Sequence, residues 1–344
     1  MDGDIVEQTA QAIRDEIIRS PWRGHPAKTI FFGGGTPTFL TERQLLSIFE
    51  AVLEVHPPIL DAEITSEANP GTVDQDKFQA MHKAGFNRIS LGAQSFLDTD
   101  LVRLGRIHRS GEIERAVHAA RSAGFDNLNL DLMFGLPGQS RHAWNSNLER
   151  ALALSPEHLS LYCLTIEPNT AYYKLHLKGL LELPDDEEQV DMYDDCTSQT
   201  LNAGFHQYEI SNYAKLGREC QHNLCYWYGE EYAGYGPGAV GAMDAEQGRI
   251  RYTNLKHPEH YVQAVRDKKP LPFESELLSH STLRTERIML GLRLNAGLKT
   301  EGLDLPTPII RKLVERNWIE NVGDRIRLTP SGRHFCTEVA SELI

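Results

Sequence analysis

The stretch TIFFGGGTPTFL, Thr29–Leu40, is a β-rich apolar run that ends on three consecutive glycines and then turns into Thr-Pro-Thr. Glycines without a Cβ can bring backbone amides close to a ligand. The segment lacks the Gly-Lys-Ser/Thr of a phosphate loop and the Gly-x-Gly-x-x-Gly of a dinucleotide site, so neither of those ligands is signalled. It reads as a binding loop, with a purely structural β-to-α turn as the alternative. Directly after it, Thr41 is a plausible N-cap, and Leu45, Leu46, Ile48, Phe49, Val52 and Leu53 form one face of a helix.

Working outward from that strand and helix, the same alternation recurs. Strand-like runs fall at Thr29–Phe32, Glu63–Glu67, Arg88–Ala93, Asn127–Met133, Leu159–Thr165 and Gln207–Ser211, with amphipathic helical patterns between them. Strand-helix-strand alternation implies a parallel sheet. Each run ends on polar residues: Gly33–Thr36, then Glu67 and Asn69, Gln94 and Ser95, Asp131, Thr165 and Glu167, and finally Ser211 and Asn212. In a parallel βα barrel the strand ends converge on one mouth, so these side chains would share a site. The expected fold class is α/β, a partial parallel βα (TIM-like) barrel over residues 1–276, followed by a small C-terminal winged-helix-like domain over 277–344. The second expectation rests on a helical stretch at Arg284–Leu294, another at Thr307–Asn317, a hairpin signal at Val322-Gly-Asp-Arg325, and a final segment Thr329–Leu343.

Composition narrows the function classes. A formal net charge of -13 argues against nucleic acid as the main partner, because counterion release needs clustered Lys and Arg. In the C-terminal segment Arg311, Lys312, Arg316, Arg325 and Arg327 are diluted by acidic neighbours. No apolar run reaches the roughly 18 residues of a membrane span, and Met1-Asp-Gly-Asp-Ile5 does not resemble a secretory leader, so a cytoplasmic location is expected. The 5 cysteines, Cys163, Cys196, Cys220, Cys225 and Cys336, form no Cys-x-x-Cys pair and read as reduced thiols.

Seven motifs, in order and compactly spaced, carry a resemblance through nearly the whole chain: FFGGGTPT, SEANPGT (Ser66–Thr72), RISLGAQSF (Arg88–Phe96), LGRIHR (Leu104–Arg109), NLDLMFGLPGQS (Asn129–Ser140), LTIEPNT (Leu164–Thr170) and HNLCYW (His222–Trp227). Together they resemble the radical S-adenosylmethionine family related to oxygen-independent coproporphyrinogen III oxidase, and within it the heme chaperone branch. The resemblance implies S-adenosylmethionine bound by Gly34, Gly35 and Thr36 at its amino end, and by Glu67, Gln94, Arg106 and Asp131. The chemistry suits those types: Glu67 and Asp131 accept from ribose hydroxyls or an ammonium, and Arg106 offers a forked donor pair to a carboxylate. Without the resemblance, an ion pair from Arg106 to Asp131 or Glu67 would read as a stitch between strand ends.

The family also implies a [4Fe-4S] cluster on a Cys-x-x-x-Cys-x-x-Cys loop ahead of the glycine motif. No cysteine precedes Cys163 in this sequence. The expectation is a chain shortened from a longer gene product that carries the first barrel strand and the cluster loop, rather than a protein that lost its cluster, since a missing strand leaves an open sheet edge. Cys220 and Cys225 have no third thiolate near them in sequence, so no metal ligands are assigned. In ECQHNLCYW (Glu219–Trp227), a His, two Cys and two aromatics are the residue types that hold heme iron and stack on a porphyrin face. The resemblance implies a heme site here with His222 as axial ligand, and YAGYGPGAVGA (Tyr232–Ala242) reads as a loop that lets a flat ligand approach backbone. Read alone, His222 is a loop histidine before an aromatic strand. The expected function is a heme-binding chaperone that hands heme to an acceptor protein, with no nucleic acid and no membrane span involved. The alternatives are an oxygen-independent coproporphyrinogen III oxidase, for which this chain lacks the cluster cysteines, and a cluster-free barrel module that binds a nucleoside-like ligand.

Overall fold

Ahead of the glycine strand lies an amphipathic helix, α1 (Gly3–Ile18), whose Ala10 and Ile17 are buried against Ile48, Ala51 and Val55 of a second helix. The computed structural model describes residues 3–344. It divides into two compact units, one of Met1–Ser66, Lys83–Phe86 and Cys220–Ile344, the other of Glu67–His82 and Asn87–Glu219. In the first unit β1 (Ala27–Phe32) runs into the glycine turn, a short 3-10 turn at Pro37–Phe39 follows, and α2 (Glu42–Val55) begins at Thr41. The Thr41 hydroxyl accepts from the Gln44 amide while Gln44 reaches back to the Thr41 amide, a reciprocal cap that contributes about 1 kcal/mol. Of the expected apolar face, Leu45, Ile48 and Phe49 are fully buried and Leu46, Val52 and Leu53 half-buried. β2 (Pro58–Ala68) pairs with β1 in parallel, Thr29 opposite Glu63 and Phe31 opposite Thr65. Alternation sends Ile30 and Phe32 to one face, where Phe32, Phe49 and Phe86 pack edge to face and tilted, and Thr29 and Phe31 to the other.

The second unit continues with α3 (Gln75–Ala84), β3 (Arg88–Gln94), α4 (Asp98–Arg103), α5 (Ser110–Ser122), β4 (Leu128–Phe134), α6 (Arg141–Ala153) and β5 (His158–Cys163). β3, β4 and β5 pair in parallel, with Ser90 opposite Asn129 and Asp131 opposite Ser160. Their two faces differ in kind. Ile89, Leu91, Leu128, Leu130, Leu132, Leu159 and Leu161 are buried on the side where α5 meets β3 and α6 meets β4. Each buried leucine is worth roughly 1.5–3 kcal/mol over an exposed one. The opposite face carries Ser90, Gln94, Asn129, Asp131, His158 and Ser160, a polar lining that only an internal site or a hydrogen-bonded network makes tolerable.

After β5 come α7 (Ala171–His176), α8 (Asp186–Asn202), β6 (His206–Glu209) and β7 (Asn212–Ala214). Here the sequence expectation of one further parallel strand at Gln207–Ser211 is corrected. The run folds back on itself, β6 pairing antiparallel with β7 and β7 antiparallel with β5. Glu209 accepts from the Ser211 amide and from the Asn212 side chain, which closes the turn between them.

The chain then returns to the first unit with α9 (Gln221–Trp227), the hairpin β8 (Val240–Ala245) and β9 (Gly248–Thr253), α10 (Pro258–Arg266) and β10 (Glu274–Leu277), which adds to β9 antiparallel. α10 buries Tyr261, Val262 and Val265 against Ala12 of α1. The remaining elements are α11 (His280–Arg293), β11 (Leu298–Lys299), α12 (Thr307–Glu315), β12 (Ile319–Val322), β13 (Arg325–Leu328) and α13 (Cys336–Leu343). β11, β13 and β12 form a three-stranded antiparallel sheet in that order. Gly323, at φ +61°, lies in the two-residue turn between β12 and β13, where a left-handed residue suits the strand twist.

Candidate functional site

Gly34, Gly35 and Thr36 are exposed at the end of β1, Gly34 with φ +77°. A Cβ on either glycine would meet nothing within 4 Å, so the turn is open to close approach along its backbone.

In the same unit the HNLCYW segment is a helix rather than a loop followed by a strand. The cause is Glu63, a buried carboxylate on β2 that accepts from the backbone amides of Gln221 and His222 at 3.0 Å each and from the Cys220 thiol at 3.5 Å. Capping by an anion satisfies donors that the first turn of any helix leaves unpaired. The helix lies on the Thr29/Phe31 face of β1. His222 stacks on Phe31 with ring centroids 4.8 Å apart, its Nδ1 is 2.8 Å from the Thr29 hydroxyl, and its Nε2 is 3.0 Å from the Tyr226 hydroxyl. Both ring nitrogens are therefore partnered. Burial pushes the Tyr226 phenol up to about 12, which keeps it protonated and able to donate to Nε2. The glycines of Tyr232–Ala242 serve the fold itself: a Cβ on Gly234 would fall 2.2 Å from the Val240 carbonyl oxygen, and one on Gly241 2.2 Å from the Tyr252 ring. Close approach there is by the chain's own backbone and Tyr252, which corrects the reading of a loop opened for a flat ligand.

In the second unit, Glu67 is half-buried near the end of β2 and Gln94 closes β3, paired across with Leu132, whereas Asp131, expected at a strand end, lies in the middle of β4, opposite Ser160. Gln94 holds φ +65° beside an irregularity in the ladder. For a side chain of this size that conformation stores about 1–3 kcal/mol of strain, which accumulates where function imposes it. Arg106 follows α4 in an irregular loop, and among the described residues no hydrogen bond or ion pair engages its guanidinium. The alternative reading, an ion pair from Arg106 to Glu67 or Asp131, is not seen among the described residues. That loop is pinned by His108, a residue missed in the sequence: its Nδ1 lies 3.2 Å from the Asn69 side chain and its Nε2 3.3 Å from the Ala93 carbonyl. A histidine two positions after the arginine, in a loop otherwise exposed, was the available signal.

Asp131 sits at the head of a buried network. Asn129 Nδ2 donates to Asp131 Oδ1 at 2.7 Å and to the Ser90 hydroxyl at 2.7 Å, which leaves Asn129 Oδ1 to accept from Ser160 at 3.2 Å and from His158 Nδ1 at 2.6 Å. The His158 ring consequently carries its proton on Nδ1, and Nε2 accepts from the Tyr208 hydroxyl at 2.8 Å. Burial, with Arg88 nearby, holds His158 well below the usual imidazole range. Burial likewise pushes the Asp131 carboxyl up, against the pull of Asn129, Ser160, Arg88 and Ser90.

Residues 1–151 match the model of the radical SAM superfamily. The chain is 38% identical to the heme chaperone HemW of Bacillus subtilis (strain 168) over 97% of this chain and 90% of that one. The chain belongs to the HemW family. It is also 37% identical to HemW of Synechocystis sp. over 94% of this chain and 80% of the relative, and 46% identical to HemW of Escherichia coli (strain K12) over 70% and 63%. Among solved structures it is similar to coproporphyrinogen III oxidase (HemN) from Escherichia coli, a radical SAM enzyme, with a TM-score of 0.82 at 19% identity, covering 99% of this chain and 84% of that one. That likeness shows the fold, the α/β half-barrel of radical SAM proteins.

Membership of HemW in this superfamily implies S-adenosylmethionine and a [4Fe-4S] cluster. Within the second unit, an unengaged guanidinium on Arg106 and the carboxyl groups of Glu67 and Asp131 are group types that suit a carboxylate, an ammonium and ribose hydroxyls. The cysteines of this chain do not suit the cluster. No three thiolates, imidazoles or carboxylates converge among the described residues, and burial holds the Cys163 and Cys225 thiols up at about 11, far from the thiolate that iron requires. Among the described residues no helix is long and apolar enough to cross a membrane.

Proposed function

We propose that this chain is a cytoplasmic heme-binding chaperone that passes heme to an acceptor protein, and that it binds S-adenosylmethionine through Gly34, Gly35, Thr36, Glu67, Gln94, Arg106 and Asp131. Residues 277–344 are, on this reading, a winged-helix-like domain following the half-barrel of 1–276. The observation that carries the proposal is the HNLCYW helix, held on β1 by Glu63 in a chain of the HemW family. His222 is the axial ligand in this reading. To reach iron it must give up either Thr29 or Tyr226, at a cost of about 1 kcal/mol for each hydrogen bond released. The HemN likeness, at 19% identity, supports the fold and no decarboxylation by this chain.

A hemin titration followed by the Soret band tests the proposal. The parent chain should show a shifted, saturable band, and His222→Ala should lose the shift. No shift in the parent, or one unchanged in His222→Ala, overturns the assignment. Calorimetry with S-adenosylmethionine on the parent and on Asp131→Ala checks the second site, where equal heats would remove Asp131 from it.

A further inference from the structure

Within the first unit, the C-terminal end of α9, the β8–β9 hairpin, α11, β11 and β13 enclose a cavity of about 590 Å³. Ligand pockets for compact organic molecules span roughly 300–1,000 Å³. Its apolar surface comes from Leu290, Leu294 and Leu298, and one wall from Trp227 and the half-exposed Tyr228, the residues that follow directly on His222 and Tyr226 along the chain. The Arg293 guanidinium covers the Trp227 ring at 4.4 Å, and among the described residues the buried indole Nε1 donates to no acceptor.

Charge separates this cavity from the rest of the molecule. Arg249, Arg287, Lys299 and Arg325 line it, against Asp244 and Glu286. Asp244 is taken up by Arg249 at 2.8 Å, Glu286 by Arg251 at 2.6 Å, and Lys299 is neutralised by Glu301 at 2.8 Å. Arg287 and Arg325 remain. Their guanidiniums are fixed by backbone carbonyls, Arg287 on Lys299 and Glu301 at 3.0 and 2.6 Å and Arg325 on Gly297 at 2.9 Å, with Asp324 only at the 4.0 Å limit from Arg325. Carbonyl bonds orient a guanidinium without cancelling its charge. In a chain of net charge -13, two oriented arginines that hydrogen-bond backbone carbonyls and, among the described residues, no carboxylate, beside an indole and a leucine surface, are a receptor for a flat apolar body bearing two carboxylates.

We propose that this cavity seats the macrocycle of a dicarboxylate tetrapyrrole, rings against Trp227 and the leucines and carboxylates on Arg287 and Arg325. This rests on the heme-binding reading above and adds to it residues, other than the iron ligand, that would hold the organic part of the ligand. Because the recognition is of macrocycle and carboxylates, iron is not required.

The test uses the full chain, protoporphyrin IX without metal, its dimethyl ester, and hemin. The parent should bind the metal-free diacid, and the ester should bind roughly ten-fold or more weakly, since blocking the carboxylates removes charge-assisted bonds. Arg287→Gln/Arg325→Gln should weaken the diacid by about the same factor and abolish the difference between diacid and ester. The ester comparison on the parent needs no variant, so a poorly folding double variant does not leave the question open. Equal affinity of diacid and ester, or an unchanged double variant, overturns the cavity while hemin binding through His222 stands. Absence of hemin binding to the parent overturns the functional reading and this assignment together.

Discussion

His158, among the parallel strands of one unit, and His222, on α9 of the other, each have both ring nitrogens in hydrogen bonds. Around His158 every partner is itself buried and fixed: Asn129 is committed to Ser90 and Asp131, and the ring is completely excluded from solvent. Around His222 the partners are a strand hydroxyl and a tyrosine one helical turn away, the ring is half-buried, and the helix carrying it is held at its start by one carboxylate. The same bond count thus describes a closed network in one place and a latch in the other. What separates them is how much else must move when one bond breaks.

The largest effect should come from opening the closed network. His158→Leu leaves Asn129 Oδ1 short of a donor and the Tyr208 hydroxyl short of an acceptor, and should cost about 2–4 kcal/mol, read as a fall in Tm. The same residue sets a pH dependence. Its folded-state pKa is depressed, so below about pH 6.5 the unfolded chain takes up a proton that the folded ring refuses, and stability falls as the pH drops through that value. His56 and His108, both also lowered by burial, act in the same direction while the Asp131 and Glu16 carboxyls, raised by burial, oppose it, so the His158 contribution reads as a Tm gap between the parent and His158→Leu that narrows from about pH 8 to about pH 5.5.

A smaller and local effect should follow from opening the latch. Glu63→Ala removes the cap of α9 and should cost about 1–2 kcal/mol, with amide exchange accelerated across Gln221–Trp227 more than in the β3–β5 strands. If exchange rises equally in both regions, α9 is not a separate latch. Thr29→Val removes the Nδ1 partner of His222 and the hydrogen bond between Thr29 and Cys225. It should lower stability by about 1 kcal/mol or less and, under the proposed function, strengthen hemin binding a few-fold, because less is given up when the ring turns to iron.

The smallest change in stability should be favourable. Gln94→Gly releases a left-handed conformation that glycine adopts freely, raising stability by at most about 1 kcal/mol. S-adenosylmethionine affinity should fall in the same variant if the strain is held for that ligand. Unchanged affinity would assign the strain to the strand ladder alone.

The parallel strands were legible because their period of two is written in leucines on one side and polar residues on the other, as at Leu128–Phe134. Gln94 as a polar strand end followed from the same alternation, whereas Asp131, read as a strand end, is followed in β4 by Leu132, Met133 and Phe134. The β6–β7 hairpin was not legible, because its turn has neither glycine nor proline and the reversal depends on the Glu209 side chain accepting from Ser211 and Asn212. The helix α9 was missed for a related reason. Cys220–Trp227 has aromatic residues that favour strands, and what folds it as a helix is a carboxylate far away in sequence on β2. A buried acid in the alternating run of β2 was the trace of that cap. The left-handed Gln94 had no local signature, since no residue nearby favours a positive φ at that position.

The donors between Tyr208 and Asp131 all point the same way: Tyr208 to His158, His158 to Asn129, Asn129 to Asp131. Aligned donors polarise one another, so the row carries information as well as stability. A cation or hydroxyl brought against Asp131 draws on the Asn129 amide and, through the imidazole, on the phenol at the far end. A change of partner at Asp131 in the middle of β4 should therefore register at Tyr208, as a near-ultraviolet difference between the parent and Tyr208→Phe.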